Sequence, residues 1–250
     1  MLSDNYRHND LKYIESIFLK NYILKDYFTQ QQKQEAAENM RSETYKKEEV
    51  IFHEGQPSFL IYFIGSGIVK LWKEGIHHVE QTIRFAKEGD MFGFWGSLEN
   101  NSYSLSATAL TDVQLCYVKK DLFLPMVQDN FSLEVILHDY IKELKKTEDD
   151  LRNMAEMNVR EKAAHSILVL LDVFRNCMDE HAYKTILSRK EIAALSAISE
   201  DRVSKQLSEF KRENIIKISD DKIFIDEKAL HKIINAYPWY NPSAMAFSFK

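Results

Sequence analysis

The sequence predicts an α+β protein in which an antiparallel β-roll precedes a long helix and a small helical domain that carries a β-hairpin. Three observations support this fold class. All seven glycines lie between Gly55 and Gly96, and neither glycine nor proline occurs from Met126 to Tyr237. Because these residues form turns and break helices, the first region should be sheet and the second largely helical. A hydrophobic repeat with helical spacing also begins at Asn130.

The composition is typical of an ordinary folded protein. The chain has 250 residues, of which 45% are hydrophobic and 28% charged, which is enough for two domains with cores. The sequence shows no signal peptide and no apolar run long enough for a membrane span. Two cysteines, Cys116 and Cys177, are too few for a disulfide framework. We therefore expect a cytoplasmic protein with no membrane partner.

Charge is divided unevenly along the chain. Residues 157–250 carry 15 Lys+Arg and 13 Asp+Glu, a net charge of +2, which leaves 18 and 25, or −7, for residues 1–156. This division is compatible with a C-terminal domain that faces nucleic acid, although solvated surfaces vary this much by chance.

Short runs rich in Ile, Val, Phe, Tyr and Thr predict the strands of the roll. They are "EVIFHEG", "SFLIYFIGSGIVKLWKEG", "VEQTIRFAKEGDMFG" and "SLSATALTDVQLCYV". Upstream, spaced apolar residues favour a helix over residues 9–28, and the glutamine-rich segment 30–39 either continues it or links it to the sheet. The apolar residues of this helix are Leu11, Ile14, Ile17, Phe18 and Tyr22.

Residues 131–157 have the pattern of a dimerisation helix. Alternating steps of four and three residues give the a/d repeat of a coiled coil, which also includes Thr147 and Asn158. A narrow seam favours a partner helix, although a long helix packed on its own roll remains an alternative. We expect a homodimer whose interface contains Leu133, Leu137, Tyr140, Leu144, Leu151 and Met154.

The stretch "LSRKEIAALSAISEDRVSKQL", residues 187–207, predicts two short helices that cross closely. Ser188 and Glu191 fit a capping box, and Ser199 is the N-cap candidate of the second helix. Small residues at Ala193 and Ala197 allow the helices to approach. The expected buried side of the second helix consists of Val203, Leu207 and Phe210.

Two alternating apolar runs, "IIKI" and "KIFI", follow around the turn "SDDK" and predict a β-hairpin. The combination is a winged helix-turn-helix, whose second helix presents its outward residues to the DNA major groove. Arg202 and Lys205 can donate to guanine, and Asp201 can accept from cytosine. A helical hairpin in a structural domain is the alternative. The outward residues are Glu200, Asp201, Arg202, Ser204, Lys205 and Glu209.

The order of roll, long helix and winged helix-turn-helix resembles the Crp/Fnr family of bacterial transcription regulators. The resemblance covers roughly Lys46 to Ala236 and rests on "VIFHEGQPSFLIYFIGSGIVKLW", "GDMFGFWGSL", "SATALTDVQL" and "LSRKEIAALSAISEDRVSKQLSEFKRENII". The aromatic tail "YPWYNPSAMAFSFK" is similar to that of the Gram-positive PrfA-like subgroup. The resemblance implies a cyclic-nucleotide-binding-like roll and a homodimer that binds a palindromic double-stranded DNA operator and RNA polymerase.

The resemblance also implies domain bounds and contacts. Residues 1–130 form the N-terminal helix and roll, 131–157 the dimerisation helix, and 158–250 the DNA-binding domain with its extension. Ala197 stands at the family's turn glycine, where alanine is tolerated if its φ is negative. Base contacts are expected from Arg202, Ser204 and Lys205, with Asp201 as a further candidate, and phosphate contacts from Ser188, Arg189, Ser199 and Lys222.

One departure from the family concerns the effector. In cyclic-AMP-binding members a glutamate follows the Phe-Gly pair and an Arg-Ser pair holds the phosphate, whereas this chain has Phe94 and Tyr103-Ser104. We therefore expect that cyclic AMP does not bind, and the sequence identifies no other effector. The corresponding pocket residues are Phe94, Trp95, Tyr103 and Ser104, and the aromatic ones either line the pocket or fill it.

Two other classes of function fit parts of the sequence. A cupin-like metalloenzyme needs two histidines separated by one residue, a spacing that the pair His77-His78 lacks. The pair is more typical of a solvated hairpin than of a haem site, and an iron–sulfur sensor is not expected because residues 1–115 contain no cysteine. An effector-binding barrel with a C-terminal domain that does not bind DNA is the second alternative. A regulator without enzymatic activity, metal or resident cofactor is the prediction.

Overall fold

The computed structural model describes residues 13–17, 20–21, 23–75, 79–99, 101–128, 130–176, 180–219 and 222–234. The chain divides into two compact units. The first contains residues 1–73 and 83–141, and the second contains residues 74–82 and 142–250. Within the described ranges, no helix is both long enough and apolar enough to cross a membrane.

Short helical segments precede the first strand. A helical stretch at 13–17 buries Ile14 and Ile17, and a π-helix follows at Ile23–Tyr27. Part of the predicted helix over 9–28 is thus present. The predicted core positions Leu11, Phe18 and Tyr22 lie outside the described residues.

The glutamine-rich segment forms a helix of its own, α1 (Gln30–Asn39). Its start is fixed by Thr29, whose Oγ1 accepts a hydrogen bond from the Gln32 N–H, while Gln32 Oε1 accepts one from the Thr29 N–H. This capping box stops the preceding helical segment from continuing, because Thr29 has an extended backbone.

Eight strands and one short helix form the roll that the sequence predicts. One sheet has the order β1-β8-β3-β6 and the other β2-β7-β4-β5. The elements are β1 (Arg41–Tyr45), β2 (Val50–Phe52), β3 (Leu60–Ser66), β4 (Ile68–Glu74), β5 (Glu80–Lys87), β6 (Met91–Phe92), α2 (Phe94–Glu99), β7 (Ser106–Ala109) and β8 (Val113–Lys119).

Alternation along β3 divides the core of the first unit into two clusters. Tyr62 and Ile64 belong to a cluster formed by residues of both sheets, with Phe52, Leu71, Phe92, Tyr103 and Leu115 among its other members. Ile61 and Phe63 point to the other side of their sheet, where they pack against helical residues.

The turn between β3 and β4 requires a glycine. Gly67 has a φ of +92°, and a Cβ atom built on it would lie 2.4 Å from the carbonyl oxygen of Asp112. A side chain at this position would therefore meet both backbone strain and a backbone atom that cannot move cheaply.

After β8 the chain forms α3 (Lys120–Val127) and the long helix α4 (Asn130–Glu156). The predicted a/d repeat extends two residues too far, because Asn158 is not part of this helix. Its side chain caps the next helix by accepting hydrogen bonds from the N–H groups of Arg160 and Glu161. Glu161 Oε2 accepts in turn from the Asn158 N–H, which completes a capping box.

The C-terminal part contains the predicted helix pair and hairpin. The strands of the hairpin pair antiparallel, with Ile218 opposite Ile223 and Lys217 opposite Phe224, so the predicted hairpin is confirmed. The elements are α5 (Val159–Val173), α6 (Glu180–Ile186), α7 (Arg189–Ser196), α8 (Glu200–Arg212), β9 (Ile216–Ser219), β10 (Lys222–Ile225) and α9 (Glu227–Ile234).

Candidate nucleic-acid interface

The first helix of the pair starts at a capped position. Ser188 Oγ accepts a hydrogen bond from the Glu191 N–H at 3.4 Å, and the Ser188 N–H donates to the Thr185 carbonyl. Near the other end of α7, Ser196 is buried and its Oγ donates to the Ile192 carbonyl at 2.5 Å. These contacts leave only three residues for the turn before α8 begins at Glu200.

Ala197 adopts a left-handed backbone in this turn, with φ 53° and ψ 36°. The negative φ that was the condition for tolerating alanine at this position is therefore not met. A left-handed residue commonly ends a helix because it redirects the chain, and glycine is favoured there because other residues pay about 1–2 kcal/mol of steric cost. The tight turn imposes this conformation on alanine.

Ser199 occupies the N-cap position of α8, as expected, but its side chain makes no capping hydrogen bond. The residue is exposed. The first amides of α8 and the Ser199 hydroxyl together give a donor-rich helix start, which carries a partial positive charge. A DNA phosphate can accept from these donors, and the carboxylates of Glu200 and Asp201 in the same turn reduce the attraction.

The outer face of α8 is polar and exposed at its N-terminal end. Asp201, Arg202 and Lys205 are exposed, while Ser204 is half-buried. The predicted inner face is confirmed, because Val203, Leu207 and Phe210 are all buried. The first two turns of α8 can thus offer two carboxylates, Glu200 and Asp201, and two cations to an external ligand.

The remaining predicted DNA contacts lie on other elements. Arg189 is the first residue of α7 and is exposed. Lys222 is the first residue of β10, and its side chain lies outside the described part of the structure. On the same hairpin, Lys217 is exposed opposite Phe224, which is also exposed.

The sequence predicts that Glu209 points outward, but in the structure it is half-buried beside Arg160. Arg160, near the start of α5, lies 3.8 Å from Glu209 and forms two hydrogen bonds with Glu213. Its guanidinium also stacks 5.0 Å from the centre of the Phe210 ring. The hydrogen bonds from Arg160 lower the pKa of the Glu213 carboxyl. Spacing within α8 could not reveal this contact, because Arg160 belongs to a different helix.

An apolar stripe on α4 is exposed in the single chain. The exposed fractions are 44% for Leu137, 39% for Tyr140, 46% for Leu144 and 67% for Leu151. Leu133 and Met154, at the two ends of the predicted seam, are half-buried. Ile141, exposed to 48%, lies beside Tyr140 and Leu144 and was not among the predicted positions.

Phe94 and Tyr103, two residues of the predicted effector pocket, are buried in different clusters. Tyr103 stacks on Phe52, with ring centres 3.7 Å apart, and its Oη accepts from the Leu60 N–H and donates to the Leu60 carbonyl. Burial raises the pKa of the Tyr103 hydroxyl. These residues fill the space around them.

Trp95 connects the short helix α2 to the long helix. Its ring centre lies 4.1 Å from that of Tyr140, and it meets the Phe94 ring edge-on at 5.0 Å. Ser104, the fourth predicted pocket residue, is exposed. Phe94 and Trp95 thus lie together in one cluster, Tyr103 lies in the other, and Ser104 lies at the surface.

A metal site does not emerge from the part of the chain that the structure describes, where no three His, Cys, Asp or Glu residues are grouped as ligands. The pair His77-His78, which the sequence associates with a solvated hairpin, lies outside the described residues.

Residues 42–130 match the family model of the cyclic nucleotide-binding domain. Over longer stretches the chain is similar to curated bacterial regulators. It is 23% identical to the cyclic AMP receptor protein of Thermus thermophilus, over 74% of this chain and 84% of that protein. It is 26% identical to the transcriptional activatory protein AadR of Rhodopseudomonas palustris, over 72% of this chain and 74% of that protein.

Solved structures show the same fold. FixK2 from Bradyrhizobium japonicum superimposes with a TM-score of 0.63 at 22% identity, covering 78% of this chain and 96% of that chain. A Crp/Fnr-family transcriptional regulator from Eubacterium rectale gives a TM-score of 0.69 at 16% identity, covering 85% and 97%. The elements described above therefore follow a known architecture of roll, long helix and C-terminal helices.

Proposed function

Since the chain belongs to the Crp/Fnr family of transcription regulators, we propose that it binds a palindromic double-stranded DNA operator as a homodimer. The main observation in favour of this proposal is the start of α8, where Asp201, Arg202 and Lys205 are exposed to solvent while the opposite face of the helix is buried. A helix held by one face and polar on the other has the form needed to enter a major groove.

Base recognition is assigned to the exposed side chains of the first two turns. Arg202 can donate two hydrogen bonds to guanine O6 and N7, and Lys205 can donate to the same acceptors. Asp201 can accept from cytosine N4. Ser204 is half-buried, so its hydroxyl reaches a base edge only at close approach.

Phosphate contacts position the helix. Ser199 and the first amides of α8 favour an anion, and Arg189 adds a cation at the start of α7. Ser188 is half-buried and already accepts from the Glu191 N–H, so its hydroxyl hydrogen is the group left to donate. Lys222 is also assigned to a phosphate contact, because it is the first residue of β10 in the hairpin.

The stripe on α4 is assigned to the dimer interface. Its core is Leu137, Tyr140, Leu144 and Leu151, with Leu133 and Met154 at the ends. Exposed apolar side chains in an a/d repeat are stabilised when a second helix covers them. Two recognition helices related by a two-fold axis then require half-sites about 34 Å apart, one turn of DNA.

We further propose that the roll does not bind cyclic AMP, even though the similar protein of Thermus thermophilus is a cyclic AMP receptor protein by name. Phe94 stands where the resemblance expects a carboxylate, and Tyr103 is fully engaged with Phe52 and Leu60. Isothermal titration of the purified protein with cyclic AMP should show no heat of binding, and saturable binding would contradict the proposal.

Contact with RNA polymerase, action in the cytoplasm and the lack of an enzymatic activity are proposed from the same family membership. A regulator of transcription meets the polymerase and DNA in one compartment, and the relative from Rhodopseudomonas palustris is named a transcriptional activatory protein. Whether the protein activates or represses follows from where its operators lie.

Selection from a random DNA pool tests the proposed function. Purified, ligand-free protein at about 0.1 M salt should enrich a palindrome, and the salt concentration matters because phosphate contacts release counterions. Enrichment only after addition of cell extract would support the regulator and point to a required ligand. A folded dimer that enriches no sequence under either condition would overturn the proposal in favour of an effector-binding barrel.

A further inference from the structure

The recognition helix α8 is held at its C-terminal end by one arginine from another helix. Arg160 Nη1 donates to Glu213 Oε1 at 2.9 Å, and Nη2 donates to Glu213 Oε2 at 2.6 Å. Two parallel hydrogen bonds of this kind fix the plane of both groups, which a single contact cannot do.

The same guanidinium makes two further contacts on α8. Nη1 lies 3.8 Å from Glu209 Oε2, and the guanidinium carbon lies 5.0 Å from the centre of the Phe210 ring. Glu209 and Phe210 belong to the last turn of α8 and Glu213 is its C-cap residue, so the Arg160 side chain contacts the end of this helix at three residues.

The backbone of Arg160 is itself anchored. Its N–H donates to Asn158 Oδ1 at 2.9 Å within the capping box that starts α5. The arginine therefore projects from a fixed helix start, at the point where the chain leaves the long helix α4. The contacts of Arg160 with Glu209, Phe210 and Glu213, which we call the clamp, join that point to the end of the recognition helix.

The stability of α8 alone does not explain why two glutamates, Glu209 and Glu213, lie at its C-terminal end. Glu209 lies in the last turn of α8 and Glu213 is its C-cap residue. Negative charge at a helix C-terminus is unfavourable for the helix dipole, and the helix also carries Lys211 and Arg212, which satisfy that end. Arg160 adds paired hydrogen bonds to Glu213, whose pKa is lowered first by these bonds and also by the charge of Arg212 on the helix itself.

A small rotation at the clamp produces a larger displacement at the other end of α8. Arg202 lies eleven residues before Glu213, which corresponds to about 16 Å along a helix. A rotation of about 10° at the clamp would therefore move Arg202 by about 3 Å, whereas a working site tolerates displacements of about 0.5 Å. Base contacts would be lost, while phosphate contacts made by long cationic side chains would adapt.

We propose that Arg160 is a positioning residue for DNA recognition: through Glu209, Phe210 and Glu213 it fixes the angle of α8, so that its loss weakens specific but not non-specific DNA binding. This inference rests on the proposed function, because it concerns how the same helix reads DNA.

The test compares Arg160→Ala with Arg175→Ala. Arg175 also forms ion pairs, with Asp172 and Glu227, neither of which belongs to α8, and its removal changes the net charge equally. Affinity for the selected operator and for random-sequence DNA is measured at two salt concentrations. We expect Arg160→Ala to lose about tenfold in operator affinity with an unchanged salt slope, and Arg175→Ala to stay within about twofold.

Two further variants keep the test decisive if Arg160→Ala folds poorly. Glu213→Gln removes the charged acceptor at a surface position, and Arg160→Lys keeps the charge but lacks the paired donors. Both should reduce operator affinity more than random-DNA affinity while the melting temperature stays within a few degrees of the parent protein.

Equal losses for specific and random DNA, or equal behaviour of the Arg160 and Arg175 variants, would overturn the positioning role while leaving the regulator intact. A parent protein that enriches no operator would instead overturn the proposed function, and the positioning role with it. The two failures are therefore distinguished by the parent protein alone.

Discussion

Phe94 and Tyr103 in the roll are buried, whereas Asp201, Arg202 and Lys205 on α8 are exposed on a helix whose other face is packed. Both sets are candidate functional residues. In the roll the same side chains form the core, so a change there alters stability first. On α8 the roles are divided between two faces, so ligand contacts can change while the fold is preserved. Phe94 and Tyr103 therefore stabilise the fold, whereas the exposed residues of α8 are free to contact a ligand without loss of the fold.

The substitution Tyr103→Ala tests whether Tyr103 is a core residue, and it has the largest expected effect. If Tyr103 is core, the loss of its ring should lower the free energy of unfolding by about 3–5 kcal/mol, as for large aromatic truncations. Urea unfolding measures the change. Tyr103→Phe is the control: it keeps the ring stacked on Phe52 and loses only the hydrogen bonds of the hydroxyl, among them those to Leu60, about 1 kcal/mol. A loss below about 1 kcal/mol for the alanine variant would mean that the ring lines open space.

The apolar stripe of α4 gives the next largest effect. Leu144→Glu places one carboxylate from each protomer at the proposed interface, and we expect the dimer dissociation constant to rise about 100-fold through lost burial and repulsion. Sedimentation at several concentrations measures it. Lys145→Glu introduces the same side chain one residue away, off the stripe, and should leave the dimer intact. Equal effects of the two variants would count against this interface.

Arg202→Ala tests the exposed face directly. The loss of a two-pronged contact with guanine should cost about 1–3 kcal/mol of operator binding and relax the sequence preference at one position of each half-site. Competition binding with operator variants measures both. Lys228→Ala removes an exposed cation from α9 and serves as the charge-matched control. Retained preference at every position would assign base readout to other residues.

The smallest expected effect concerns the turn. Ala197→Gly should raise the free energy of unfolding by about 1 kcal/mol, because glycine adopts the left-handed backbone without the steric cost. Ala193→Gly, within α7, should lower it by about the same amount. Thermal unfolding of both variants tests the pair. A destabilised Ala197→Gly variant would show that the methyl group contributes packing that outweighs the strain.

Local periodicity was sufficient for much of this architecture. The buried face of α8, the wing and the exposed stripe of α4 all follow from spacing within one element. The predicted bounds of the long helix, 131–157, differ from those of α4 by one residue at each end, but the apolar repeat was extended to Asn158, which instead forms a capping pair with Glu161. That pair is visible in the sequence and could have marked the boundary.

Other features could not be deduced from spacing. Tyr103 stacks on Phe52, and Arg160 pairs with Glu213, through contacts between residues about fifty positions apart. The left-handed backbone of Ala197 also has no sequence marker, because alanine rarely adopts it and the tight turn imposes it. Tertiary structure decides these details.

The contact between Trp95 and Tyr140 provides a built-in optical probe. The indole of Trp95 is half-buried beside a ring that is part of the proposed dimer interface. Covering that ring with a second helix would remove water from the indole and shift its emission to shorter wavelength. Trp72, whose indole N–H donates to Thr108 Oγ1 in the roll, and Trp239 emit as well, so the Trp95 signal is obtained as the difference from a Trp95→Phe variant. Assembly could therefore be followed in dilute solution without attaching a dye.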